Sequence, residues 1–229
     1  MSGQFASTDS AQDKLRRDAQ LSWKPFWQKP ENRRYTWLAT GCFLCMFVTV
    51  FFVLAFVEQR KGFIIEDWSL PILGRPRDFS IAIFTITYFS MVYAIWSNVA
   101  RPKIFLHMLI TYAFMQISKC MLLLCVPLDP PTDILPLTDP ILETLFYQGN
   151  VNLKDLFFSG HVATVCIAAV YARHHLIKIL LILLAPTLGF LMAQQRVHYI
   201  VDAVAAPFFV WMAFRLSSSI ANSFSKSAS

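Results

Sequence analysis

FFSGHVATVCIAAVYARHHLIKILLILLAPTLGFLMAQQRVHYIVD, Phe157–Asp202, is the stretch from which the chain is best read. It opens on Ser159-Gly160-His161 and closes on His198-Tyr199-Ile200-Val201-Asp202, and most of what lies between is apolar enough to sit in lipid. Ionisable groups at the ends of apolar segments are costly to keep at a membrane and mark function by default. Working outward, similar apolar runs fill most of the chain. Hydrophobic residues make up 56% of the 229, mean hydropathy is +0.50 and there are 21 Phe. That composition excludes a disordered chain, argues against a soluble domain and points to a one-domain, polytopic, all-α membrane protein.

Six uncharged or nearly uncharged runs are long enough for the ~20 residues a crossing needs. They are Tyr35–Val57, Phe79–Ala100, Ile104–Val126 (interrupted by Lys119), Leu156–Ala172, Ile179–Gln195 and His198–Ser217. This gives a six-helix catalytic domain over 35–217, a basic N-terminal segment over 1–34 and a Ser-rich tail over 218–229. The N-terminal segment carries Trp23, Phe26 and Trp27 among its basic residues. It reads either as an amphipathic piece lying on an anionic membrane face or as a frayed tail, and its polarity argues against a cleavable signal peptide. The loop at 127–155 is rich in Pro and acidic residues.

Six crossings put both termini on one side. The termini and the turns at Arg101-Pro102-Lys103 and Arg173–Lys178 carry thirteen Lys and Arg, and the opposite loops carry six. By the positive-inside bias the termini are then cytoplasmic. His161 and His198 arrive together on the exoplasmic side, periplasmic or lumenal. The net charge of +6 reflects this loop bias, so nucleic acid is not an expected partner. Cys42, Cys45, Cys120, Cys125 and Cys166 all fall in apolar runs and read as packing residues rather than zinc ligands or disulfides.

The i, i+4 spacing of His198 and Asp202 stacks them on one helix face. A carboxylate there fixes the imidazole tautomer and strengthens the other nitrogen as a nucleophile, and the alternative is a structural pair satisfying two buried groups. Ser159 is a good N-cap, Gly160 allows close backbone approach, and the helix start behind them offers N–H groups to phosphate oxygens. His161, in the first turn, is placed to serve as general acid and base. Lys119 and Arg196 are candidate cations for a phosphodiester, although Lys119 can equally snorkel to the interface and Arg196 can anchor there. His107, His174 and His175 fall on the other side of the membrane and read as bystanders.

FFSGHVA followed by RVHYIVDAV resembles the sphingomyelin synthase family, within the type 2 phosphatidic acid phosphatase superfamily. GNVNLKDLFFSGHVA looks most like the plant phosphatidylcholine:diacylglycerol cholinephosphotransferases of that group, and the likeness covers about residues 112–212. The resemblance implies a six-helix fold, His198 as nucleophile, Asp202 as its orienter and His161 as general acid/base. It also implies a reaction without metal or other cofactor, moving phosphocholine from a phosphatidylcholine-like donor to diacylglycerol or ceramide. A choline cradle would draw on Tyr147, Phe157, Phe158 and Tyr199. Two superfamily features are missing. Neither Arg75-Pro76 nor Arg101-Pro102 has the phosphatases' upstream lysine, and Leu191-Met192 stands where they place a Ser-Arg pair. Both absences weaken the rival reading of a lipid phosphate phosphatase. A rival of another class is a non-enzymatic lipid-binding membrane protein.

Overall fold

The structure is a computed structural model and describes residues 22–137 and 152–226. Among these residues the fold is helical, with no strand beyond an isolated parallel bridge between Phe63 and Leu128. The helices are α1 (Trp23–Gln28), α2 (Pro30–Gln59), α3 (Ser69–Ile72), α4 (Ser80–Asn98), α5 (Pro102–Cys125), α6 (Gly160–Val170), α7 (His175–Gln194) and α8 (Ile200–Lys226). Five of them, α2, α4, α5, α7 and α8, are long and apolar enough to cross a membrane. They are hydrophobic on most faces, so large side chains also point outward: Phe51 and Trp96 are 70% and 81% exposed. Such all-round apolarity is expected of helices that face lipid.

The run expected as a fourth full span differs most. Residues 152–159 hold no helix, and α6 is an 11-residue helix. At 1.5 Å per residue it is about 16 Å long, roughly half a bilayer core. Nearly all of it is enclosed by α4, α5, α7 and α8, with Ala163 and Val165 fully buried. Its far end is level with the end of α4, where Asn98 Nδ2 donates to the Tyr171 carbonyl at 3.1 Å. At its near end Gly160 lies against Lys119, six residues before the end of α5. The first turn of α6 therefore lies within reach of the Gln116 and Lys119 side chains of α5. α7 and α8 cross closely at Gly189, where an added Cβ would stand 2.7 Å from the Ala203 methyl. A small residue is what allows that approach.

Other boundaries also differ from the sequence reading. α2 starts at Pro30, inside the expected N-terminal segment, and α8 continues through the expected tail to Lys226. Phe224 of that extension packs on Tyr35 with ring centroids 5.5 Å apart. The piece around Trp23 is a short helix, α1, and not a frayed tail. Phe26 is buried and the Trp23 indole donates to the Val99 carbonyl at 2.6 Å, clamping α1 under the α4–α5 turn. His107 is tied into a buried polar knot joining α5, α6 and α8. Its Nδ1 lies 2.6 Å from the Tyr171 hydroxyl, and its Nε2 lies 3.2 Å from both Ser217 Oγ and Ser218 Oγ.

A candidate histidine–carboxylate site

The two histidine motifs meet through the main chain. The Ser159 amide donates to the Asp202 carbonyl at 3.1 Å, so the start of α6 is hydrogen-bonded directly to the first turn of α8. His198 Nδ1 and Asp202 Oδ2 are 2.9 Å apart, with the side chains 4% and 0% exposed. The expected partners are therefore in contact, but not on a helix face. His198 and Tyr199 precede α8, and Asp202 is the third residue of that helix. Asp202 Oδ2 also accepts the Tyr199 amide at 3.1 Å. This is the reaching-back half of a capping box, in which an acidic third residue satisfies the amide before the helix. One carboxylate oxygen thus closes the helix end and holds the imidazole. Asp202 Oδ1 has no hydrogen-bond partner among the described residues.

Ser159 caps α6 as its type predicts, its Oγ accepting the Val162 amide at 3.4 Å. His161 follows in the first turn, its ring edge-on to Phe84 with centroids 5.6 Å apart. Gly160 lets Lys119 come close, because a Cβ there would lie 2.9 Å from Lys119 Nζ and push the ammonium aside. The ammonium consequently rests on the first turn of the helix that carries His161.

Lys119 does not snorkel. It is 4% exposed and pairs with Asp155 at 2.7 Å. Sequence reasoning counted Asp155 only as one acid of the long loop, yet it belongs to this cluster. Burial pushes its pKa up, but the Lys119 ammonium outweighs that and holds it below the usual carboxylate range, helped by His198 and His161. The signal for Asp155 was Lys119 itself, because a lysine deep in an apolar helix requires a counter-charge.

Two expected substrate-binding residues serve other ends. Tyr199 is fully buried, and its hydroxyl donates to the Asp129 carbonyl at 2.9 Å and accepts the Ile65 amide at 3.2 Å. It pins two loops and presents no face for a choline cation. Arg196 adopts φ 64° at the α7–α8 turn and directs one guanidinium nitrogen to the Gly74 carbonyl at 2.8 Å. It holds the loop after α3, and its Nη1 is buried without a partner among the described residues. Phe158 is buried against Phe209, ring planes 4° apart, so it too offers no open face. Tyr147 lies outside the described residues.

The loops above the cluster are stitched into a cover. Arg60 donates to the carbonyls of Leu123, Leu124 and Val126 at the end of α5. Lys154 pairs with Asp129 at 2.9 Å and reaches the Arg60 carbonyl at 2.5 Å, while Glu58 accepts the amides of Leu153 and Lys154. Asp67 accepts the Ile200 amide at 3.0 Å, satisfying the next donor of α8. Among the described residues no group of three or more His, Cys, Asp or Glu is placed to hold a metal ion. No family model, curated protein or solved structure matches the chain.

Proposed function

We propose that the protein is a six-crossing lipid phosphotransferase with cytoplasmic termini, α6 counting with its extended lead-in as the fourth passage, and with its site toward the exoplasmic side. It takes phosphocholine or a related phosphorylated headgroup from a glycerophospholipid and passes it to a second lipid alcohol, diacylglycerol or ceramide. The observation that carries this reading is the buried His198–Asp202 pair, joined by a main-chain hydrogen bond to the motif that presents His161.

His198 Nε2 attacks phosphorus while Asp202 holds the proton on Nδ1, so the developing imidazolium charge is met by a carboxylate at 2.9 Å. The P–O bond to diacylglycerol breaks, and that oxygen takes its proton from His161. The incoming alcohol then gives its proton to His161 and attacks the phosphohistidine, regenerating neutral His198. Lys119 adds positive charge beside the first turn of α6, where the phosphoryl oxygens gather. The loop cover favours an alcohol over water as acceptor by keeping the phosphohistidine dry. That preference, with the absent phosphatase residues, favours transfer over hydrolysis.

The test is headgroup transfer in proteoliposomes with labelled phosphatidylcholine, diacylglycerol and ceramide, resolving all lipid and aqueous products. Label in a new phospholipid or in sphingomyelin supports the reading. His198→Ala and His161→Ala should each abolish transfer, and full turnover in His198→Ala refutes the mechanism. Label released only to water as phosphocholine makes the protein a hydrolase.

A further inference from the structure

An apolar crevice of about 270 Å³ opens between α2 and α4. Phe43 and Phe47 of α2 form one wall and Met91 of α4 the other, and α5 and α6 form the floor. α2 packs on α5, α4 packs on α6, and α2 and α4 make no substantial contact with each other. The gap between them faces outward along two membrane-length helices: Phe47 is 57% exposed and Met91 36%. No charged side chain lines it.

Its few polar residues adjoin the candidate site. They are Tyr112, Gln116 and Thr164. The Thr164 hydroxyl donates to the Gly160 carbonyl at 2.9 Å. Gln116 Oε1 lies 3.8 Å from the point where a Gly160 Cβ would stand, the point that is 2.9 Å from Lys119 Nζ. This oxygen is buried and has no hydrogen-bond partner among the described residues. A buried acceptor without a donor is unfavourable.

We infer that the crevice seats the acceptor lipid, a neutral lipid alcohol, with a hydrocarbon chain between α2 and α4 and its hydroxyl supplied to Gln116 beside His161. The chemistry separates acceptor from donor. A lipid alcohol brings the O–H that Gln116 lacks. Phosphatidylcholine has neither N–H nor O–H, and its charged headgroup finds no counter-charge in these walls. The volume is just below the roughly 300–1,000 Å³ of ordinary ligand pockets, so it holds part of one chain and leaves the remainder in the bilayer. This assignment rests on the transferase reading for its catalytic meaning, and its binding content is testable separately.

The experiment uses the full chain in nanodiscs with photoactivatable diacylglycerol, with labelled peptides mapped by mass spectrometry. Label is expected on α2 and α4 around Phe47 and Met91. Methylating the diacylglycerol hydroxyl should cut it severalfold, and Ala94→Phe, which fills the crevice, should cut it about tenfold. Met91→Trp at the mouth gives the same reading if Ala94→Phe does not fold. Label elsewhere, or equal crevice labelling by photoactivatable phosphatidylcholine, overturns the inference. In the transfer assay Ala94→Phe should raise the acceptor KM about tenfold and leave phosphohistidine loading from the donor unchanged. Transfer with an unchanged acceptor KM defeats the inference and spares the transferase. Crevice labelling in a protein that transfers nothing defeats the transferase and spares the lipid-alcohol seat.

Discussion

Lys119 and Asp155 lend themselves to a double-mutant cycle read by stability, because each is the other's ion-pair partner at 2.7 Å. At 2.7 Å the attraction is about 6 kcal/mol for an effective dielectric of about 20. Desolvating the ammonium, which is 6% exposed, offsets much of this. Removing one partner of a fully buried pair typically destabilises by about 3–5 kcal/mol. Asp155 is 31% exposed, so water screens it and about 2–3 kcal/mol is the better expectation for Lys119→Met or Asp155→Asn alone. The double variant should recover to within about 1 kcal/mol of the parent, a coupling of roughly 2 kcal/mol. In thermal unfolding in micelles, each single change should lower Tm by about 5–10 °C and the double change by much less. Single effects that simply add would refute the pairing. The pH dependence has a definite sign. The folded pKa of Asp155 is depressed, so its contribution is fully present above the unfolded carboxyl value of about 3.9 and is lost as pH falls through the folded value. The stability gap between parent and double variant should therefore stay level through neutral pH and close only in strong acid.

Other expectations concern single residues. Tyr199→Phe leaves the Ile65 amide and the Asp129 carbonyl unpaired and should destabilise by about 1–3 kcal/mol, with the donor KM unchanged in the transfer assay. A selective rise in donor KM would return Tyr199 to the substrate. Gly160→Ala brings a methyl to 2.9 Å from Lys119 Nζ, so transfer should fall more than tenfold while Tm moves by only a few degrees. Unchanged kinetics would show that the ammonium yields freely. Asp202→Asn preserves the cap geometry but removes the charge facing the imidazole, so turnover should drop by about 10³–10⁴-fold with little change in Tm. An equal loss of folding and turnover would assign Asp202 to the helix end alone.

The long helices were legible because apolar runs of membrane length have few alternatives, and charged or Pro-containing turns divide them. The start of the helix in the fourth run was misplaced because hydropathy ignores caps. Ser159 starts the helix, so Leu156 and Phe158 are buried outside it. The His198–Asp202 contact was readable from spacing, but its geometry was not, since a helical i, i+4 pair and a capping pair have the same sequence. Tyr199 was placed with the substrate because adjacency to His198 suggested a shared site. It precedes the helix, and there its ring runs into the loop cover instead. Asp155 was hidden among the other acids of its loop, and Lys119, deep in α5, was its signature.

The main-chain bond from Ser159 to Asp202 bears on how such a site drifts over generations. The alignment of the two motifs is written in an amide and a carbonyl, groups that almost every substitution preserves. Side chains around the histidines are thereby free to diversify toward new headgroups without loosening the pair. The vulnerable change is Ser159→Pro, which deletes the amide that joins the motifs and, with it, the hydroxyl that caps α6.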